Sequence, residues 1–231
     1  MSRKKDFAQA ADSLPERPCI ICDFFRNFAS QVRHQEITQK RDWQEFITTS
    51  QNEQWVYVIE FSEAISAWGT ASGKGNRFIK SGLLQSNLTG KYDRRGDYMM
   101  LKKIYGQPKI TVFELSCDAT IPEQKLRLQI HGHTGRGSAC YIGFQNRDRD
   151  GITTEIYSLF KENDAYKRST DNHRVLFDEF IRDFYLARLR HPQNPKRTFY
   201  YGDCMEPNFI RRTLNRPDLA DAVCAILGVT F

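Results

Sequence analysis

No apolar run in this chain reaches membrane-spanning length, and no apolar leader follows the opening MSRKKDFAQAADS. Neither a membrane partner nor export is expected, so the expected location is the cytoplasm, where thiols stay reduced. Six cysteines scattered over 231 residues are too few for a small disulfide scaffold. Cys19 and Cys22 form a C-x-x-C, yet no second C-x-x-C and no H-x3-H completes a zinc site. Two more ligands would have to come from residues such as His34, His131, His133 or Cys140; otherwise Cys22 faces a helix core. Internal repeats and low-complexity tracts are missing too, which leaves a non-repetitive folded chain.

What is present suffices for a core. With 40% hydrophobic and 13% aromatic residues, one sizeable domain with decorations or two small ones is expected. The formal charge of +6 leans towards polyanionic partners, although 28 acidic residues dilute the bases. The positive charge is concentrated. From 74 to 103 the bases are Lys74, Arg77, Lys80, Lys91, Arg94, Arg95, Lys102 and Lys103, opposed only by Asp93 and Asp97.

Residues 1–18 are polar and aperiodic, and are expected to be loosely docked. Ile21, Phe24, Phe25, Phe28 and Val32 recur at helical spacing over 19–32, and Trp43, Phe46 and Ile47 mark a second short helix. The run WVYVIEF at 55–61 reads as a buried strand, followed after a turn at 62–64 by a short strand ending at Trp68. A loop with Gly69, Gly73, Lys74 and Gly75 then leads into a helix near Asn76 that carries Arg77 and Lys80. Backbone N–H groups at such a helix start, with three bases around them, form a cradle for phosphate. The plain alternative is a hairpin followed by a solvated helix.

Residues 86–97 suit an exposed basic loop, 98–105 a helix on Met100, Leu101 and Ile104, and 109–117 a strand. An inserted hairpin is expected over 121–151, in which His131 and His133 are ligands, proton carriers or solvent-facing strand residues. A helix over 153–165 turns Ile156, Leu159 and Phe160 inward, with Glu155 beside that stripe in its first turn. The strongest amphipathic segment spans 173–191, with Val175, Leu176, Phe180, Phe184 and Leu189 on the core side. Pro192 and Pro195 end it. A last helix from 207 is reset at Pro217 and closed by Gly228.

Trp55-Val56-Tyr57, then Ala67-Trp68-Gly69, then Arg77 eight positions on, form a pattern that resembles the GIY-YIG nucleases. The order of elements is similar as well, since that family has two strands, a helix pair, a third strand, and a helix with a metal-binding glutamate. Glu155 takes that place. The resemblance covers residues 54–166, with a long insertion at 121–151. Only Tyr57 and Gly69 hold literally; Ala67 stands for the family's second tyrosine, and Ser81 where a histidine or tyrosine often follows the arginine. Lys74, Tyr92 or a histidine of the insertion would substitute, and the family's late asparagine is Asn163 or Asn172. A literal Tyr141-Ile142-Gly143 has no arginine-bearing helix at the right distance and reads as coincidence.

The resemblance implies that Tyr57 helps deprotonate a water, Arg77 holds the phosphate oxygens, and Glu155 carries one Mg2+ (or Mn2+) at the 3′ oxygen. A phenol with a pKa of about 10 is a poor base in water, and a nearby cation and guanidinium make its phenolate more accessible. Taken singly, the three read as a strand aromatic, a surface base and a helix acid favoured by the dipole. DNA contacts are expected from Gly69, Lys74, Lys80, Lys91, Tyr92, Arg94, Arg95, Lys102 and Lys103, with sequence preference from the insertion or terminal helices. The expected fold is α/β (α+β), a small mixed sheet flanked by helices. It divides into an N-terminal helical segment (1–50), a nuclease core (51–166) and a helical C-terminal extension (167–231). The expected function is a metal-dependent DNA endonuclease of restriction or phage type, with DNA as its partner and a homodimer as its candidate assembly. The rival is a non-catalytic nucleic-acid-binding protein using the same basic surface; a protein-interaction module, the third reading, predicts no salt-sensitive DNA affinity.

Overall fold

The computed structural model describes residues 33–50, 54–72, 96–114, 140–144, 149–187, 190–191, 194–198 and 205–229. The chain forms two compact units, one of Met1–Leu88 with Pro108–Gly143, the other of Thr89–Gln107 with Phe144–Phe231. The segments 1–50, 51–166 and 167–231 expected from the sequence follow the chain, whereas these units interleave along it.

The first unit is built on a five-stranded sheet. Its strands are β1 (His34–Glu36), β2 (Gln54–Glu60), β3 (Ser66–Ser72), β4 (Lys109–Glu114) and β5 (Cys140–Ile142), ordered β1-β4-β2-β3-β5, so β2 is central. The α+β class expected from the sequence holds, with one correction: every described pairing is antiparallel and the sheet is not mixed. A tight hairpin such as that joining β2 to β3 can only reverse the chain, whereas parallel neighbours need a long crossover. Residues 55–59 of β2 are all 2% exposed or less, as expected for an unbroken apolar run covered on both faces.

Trp55, Tyr57 and Ile59 share one face of β2, and Val56 and Val58 the other. Helix α1 (Lys40–Thr48) lies against the first face, with Trp43 edge-on to Trp55 at 5.7 Å between centroids. At its start the Asp42 carboxylate accepts from the Thr38 hydroxyl (2.7 Å) and the Thr38 and Gln39 backbone N–H groups (2.8 and 2.9 Å). The Thr38 hydroxyl and then these N–H donors favour the charged form and hold the carboxyl at about 2, against the pull of desolvation.

The second unit contains α2 (Gly96–Tyr105), α3 (Arg149–Lys161), α4 (Asp164–Lys167), α5 (Asp171–Phe180), a π-helical segment Ile181–Tyr185, strands β6 (Arg190–His191) and β7 (Asn194–Thr198), α6 (Pro207–Thr213) and α7 (Pro217–Leu227). α5 packs on α7, and α2 on α3. Helix α2 begins two residues earlier than the sequence suggests. Its buried Asp97 accepts a hydrogen bond from the buried Tyr185 hydroxyl at 3.1 Å, which anchors the first turn. Helix α3 begins at Arg149, not 153, and ends before Asn163, whose side chain caps α4 through the Ala165 N–H at 2.9 Å.

Two inward assignments are corrected. Leu159 is 41% and Val175 66% exposed, while Ile156, Phe160, Phe177, Phe180, Ile181 and Tyr185 are buried. Phe160 packs on Phe177 with centroids 5.9 Å apart, and this pair of rings fixes which faces of α3 and α5 turn inward. The expected helix over 173–191 is shorter: α5 passes into the π-helical segment and the chain then doubles back as the β6–β7 ribbon. Pro207 and Pro217 each open a helix, and Gly228 closes the last one, as expected. No helix among the described residues is long and apolar enough to cross a membrane.

Candidate functional site

The turn-and-strand geometry after Phe61 puts Tyr57 and Gly69 directly opposite each other across β2 and β3. Gly69 therefore lies inside a strand, not in the loop expected from the sequence, because β3 continues four residues past Trp68. The Tyr57 ring lies over it. A Cβ added to Gly69 would sit 2.5 Å from the Tyr57 Cζ and overlap the hydroxyl oxygen. Tyr57 is 2% exposed and faces Val112 on its other side. Cross-strand aromatic–glycine pairing of this kind fixes the ring on the sheet and sets hairpin register.

At the Trp55 end of the same face, the buried Glu114 carboxylate accepts from Ser50 Oγ at 2.6 Å and from Arg33 at 3.3 Å. Trp55 Nε1 donates to the same Ser50 oxygen at 3.1 Å. These polar groups hold the end of β4 to α1 and to β2. Neither Glu114 nor Ser50 is conspicuous in the sequence, since only the fold brings positions 50, 55 and 114 together.

Glu155 belongs to the second unit and is half-buried on α3. Because that helix starts at Arg149, Glu155 falls in its second turn instead of its first. The dipole at the helix N-terminus thus gives no account of the acid there, since that effect fades within a turn. Lys102 and Lys103 occupy the last turn of α2. Lys103 reaches the end of α7, where its ammonium lies 2.8 Å from the position a Cβ on Gly228 would take. Its backbone carbonyl accepts from Asn163 Nδ2 at 3.1 Å. A cation beside the carbonyl end of a helix is favourably placed, so Lys103 has a role in packing.

Arg77, Lys74, Lys80, Lys91, Tyr92, Arg94 and Arg95 lie outside the described residues, as do Cys19, Cys22, His131 and His133. His34 stacks on Phe113 at 5.5 Å. Among the described residues no group of three or more His, Cys, Asp or Glu gathers as a ready-made metal site. Mg2+ does not require one, because a single carboxylate with waters and substrate phosphate can hold it. A half-buried glutamate such as Glu155 fits that requirement. The literal Tyr141-Ile142-Gly143 forms the edge strand β5 and the turn after it, and Gly143 (φ 93°) leaves room for the Ala64 carbonyl, which a Cβ would overlap.

No protein-family model, characterised protein or solved structure matches this chain. One further cluster in the second unit is not visible in the sequence. Asp178 accepts from the Tyr157 hydroxyl and, at 2.6 Å, from the Tyr166 hydroxyl, while Lys161 stands 3.3 Å from its other oxygen. The lysine also lies 5.4 and 5.7 Å from the two ring centroids. Burial first, and then the Asp178 carboxylate, push Tyr166 up to about 12 and raise Tyr157 as well. Both phenols are therefore donors at neutral pH, and they tie α3 and α4 to α5.

Proposed function

We propose that this protein is a metal-dependent DNA endonuclease of GIY-YIG type. One observation carries the reading: the two positions that match the family motifs literally, Tyr57 and Gly69, are register partners, with the phenol lying over the glycine. The order of described elements supports it too, since two strands are followed by a helix, a third strand and, after the short strand β5 within the expected insertion, the helix that bears Glu155. In this reading Tyr57 takes a proton from the attacking water, Arg77 binds the phosphate oxygens, and Glu155 holds Mg2+ or Mn2+. The cation would supply charge neutralisation at the departing 3′ oxygen. Lys74, Lys80, Lys91, Arg94, Arg95 and Lys102 would contact backbone phosphates, while Lys103 is taken up by the end of α7. A restriction or phage role, a cytoplasmic location and a homodimer belong to the same proposal.

One observation favours the rival, a non-catalytic DNA-binding protein. Tyr57 is 2% exposed in this conformation, and a base must reach the water it activates. Incubating the protein with supercoiled plasmid in Mg2+ or EDTA separates the two readings. The nuclease reading expects nicking in Mg2+ that EDTA abolishes. It also expects Tyr57→Phe and Glu155→Gln each to slow nicking by about 100-fold or more while DNA affinity is kept. Binding without any nicking, by the unaltered protein, would leave the rival standing.

A further inference from the structure

Three oxygen-bearing side chains of the second unit converge on one point. Tyr157 on α3, Tyr166 on α4 and Asp178 on α5 come from three different helices, and both phenols donate to the same carboxylate oxygen, Oδ1, Tyr166 at 2.6 Å. Aromatic packing holds the two rings in place: Phe177 lies 6.3 Å from the Tyr157 ring and 6.4 Å from the Tyr166 ring, and Phe160 lies 6.1 Å from the latter. The other carboxylate oxygen, Oδ2, takes the Lys161 ammonium at 3.3 Å. The Asp178 and Lys161 side chains are 34% and 42% exposed, so the cluster opens to solvent on that side. Residues two apart on a helix do not face each other, so Glu155 belongs to another face of α3 than Tyr157.

We propose that Tyr157, Tyr166 and Asp178 form a site for ferric iron, a hard trivalent cation. Hard cations take oxygen ligands, and an octahedral ion with ligands at about 2.0 Å sets neighbouring ligand atoms about 2.8 Å apart. The three oxygens already stand near that spacing, so a small opening of the triad admits the ion. Its remaining positions, on the exposed side, go to water or a small anion. Binding exchanges protons for metal. Both phenol O–H bonds break, two protons leave to solvent, and two iron–phenolate bonds and one iron–carboxylate bond form with no change of oxidation state. Three negative ligands then balance the threefold charge of the ion. A phenol with a pKa of about 10 gives up its proton at neutral pH only to a strongly polarising ion, which favours ferric iron over Mg2+ here. The Lys161 ammonium favours the metal-free triad, which carries one negative charge, over the neutral complex. None of this requires that the protein be a nuclease.

The test is a titration of the full chain with ferric nitrilotriacetate, read as visible absorption, because iron held by phenolate has a charge-transfer band that the chelate alone lacks. The band should saturate at one iron per chain. Tyr157→Phe or Tyr166→Phe alone should weaken binding by at least about tenfold, and the two together should abolish the band. Tyr105→Phe, at an exposed tyrosine of α2, should leave it unchanged. Lys161→Met should tighten binding by about fivefold, the worth of a half-exposed ion pair. A titration without any band overturns the proposal. So does a band that survives in the double variant, since the iron then sits on other tyrosines. Where the double variant loses its native circular dichroism, Lys161→Met decides, and an affinity that stays the same or falls overturns the proposal.

Discussion

A methyl group at position 69 would have to take space that the Tyr57 ring already fills. Gly69→Ala is therefore expected to destabilise the fold by about 1–3 kcal/mol, the usual range for overpacking, read as a lower urea midpoint. In a Tyr57→Ala background the same change should cost less, because the obstacle has gone, and the non-additivity of the pair measures their contact. A second residue-scale expectation concerns the phenols on Asp178. Their folded-state pKa values lie above the unfolded value of about 10, so their contribution to stability is intact below that pH. It is withdrawn as the pH climbs towards about 12, the value Tyr166 reaches. Asp178→Asn removes the negative charge that opposes phenolate formation, and an absorbance titration should show Tyr157 and Tyr166 ionising at lower pH.

At the scale of elements, α5 depends on its first turn. The Thr170 hydroxyl accepts from the His173 N–H at 3.2 Å and satisfies a donor that has no partner within the helix. Thr170→Ala should cost about 1 kcal/mol, measured by urea or thermal unfolding. Strands β2 and β4 and most of the described helices were legible because their signals are local, whereas the three-residue β1 was not. The apolar run around Val56 and Val58, the 3.6-residue spacing of Trp43 and Phe46, and the prolines at 207 and 217 each report on their own neighbourhood. The inward face of α5 was not, because Val175 and Phe177 are both apolar and only the partner ring of Phe160 decides between them. The ribbon escaped for another reason: Pro192 and Pro195 read as the stop of a helix, and strands this short carry no period.

At the scale of the molecule, the candidate site was legible only in part. Tyr57 and Gly69 stand out because the hairpin around them is local, and their pairing is a consequence of β2–β3 register. Ser50 and Glu114, 64 positions apart, meet only through the folded sheet and leave no trace in the spacing of residues. The interleaving of the two units has a consequence for synthesis. The chain passes from one unit to the other after residues 88, 107 and 143. On a ribosome, α2 emerges well before α3, its packing partner, while the sheet must wait for its last strand at Cys140–Ile142. Neither unit is a contiguous cassette, so recombination at a single breakpoint cannot transplant one without severing the other.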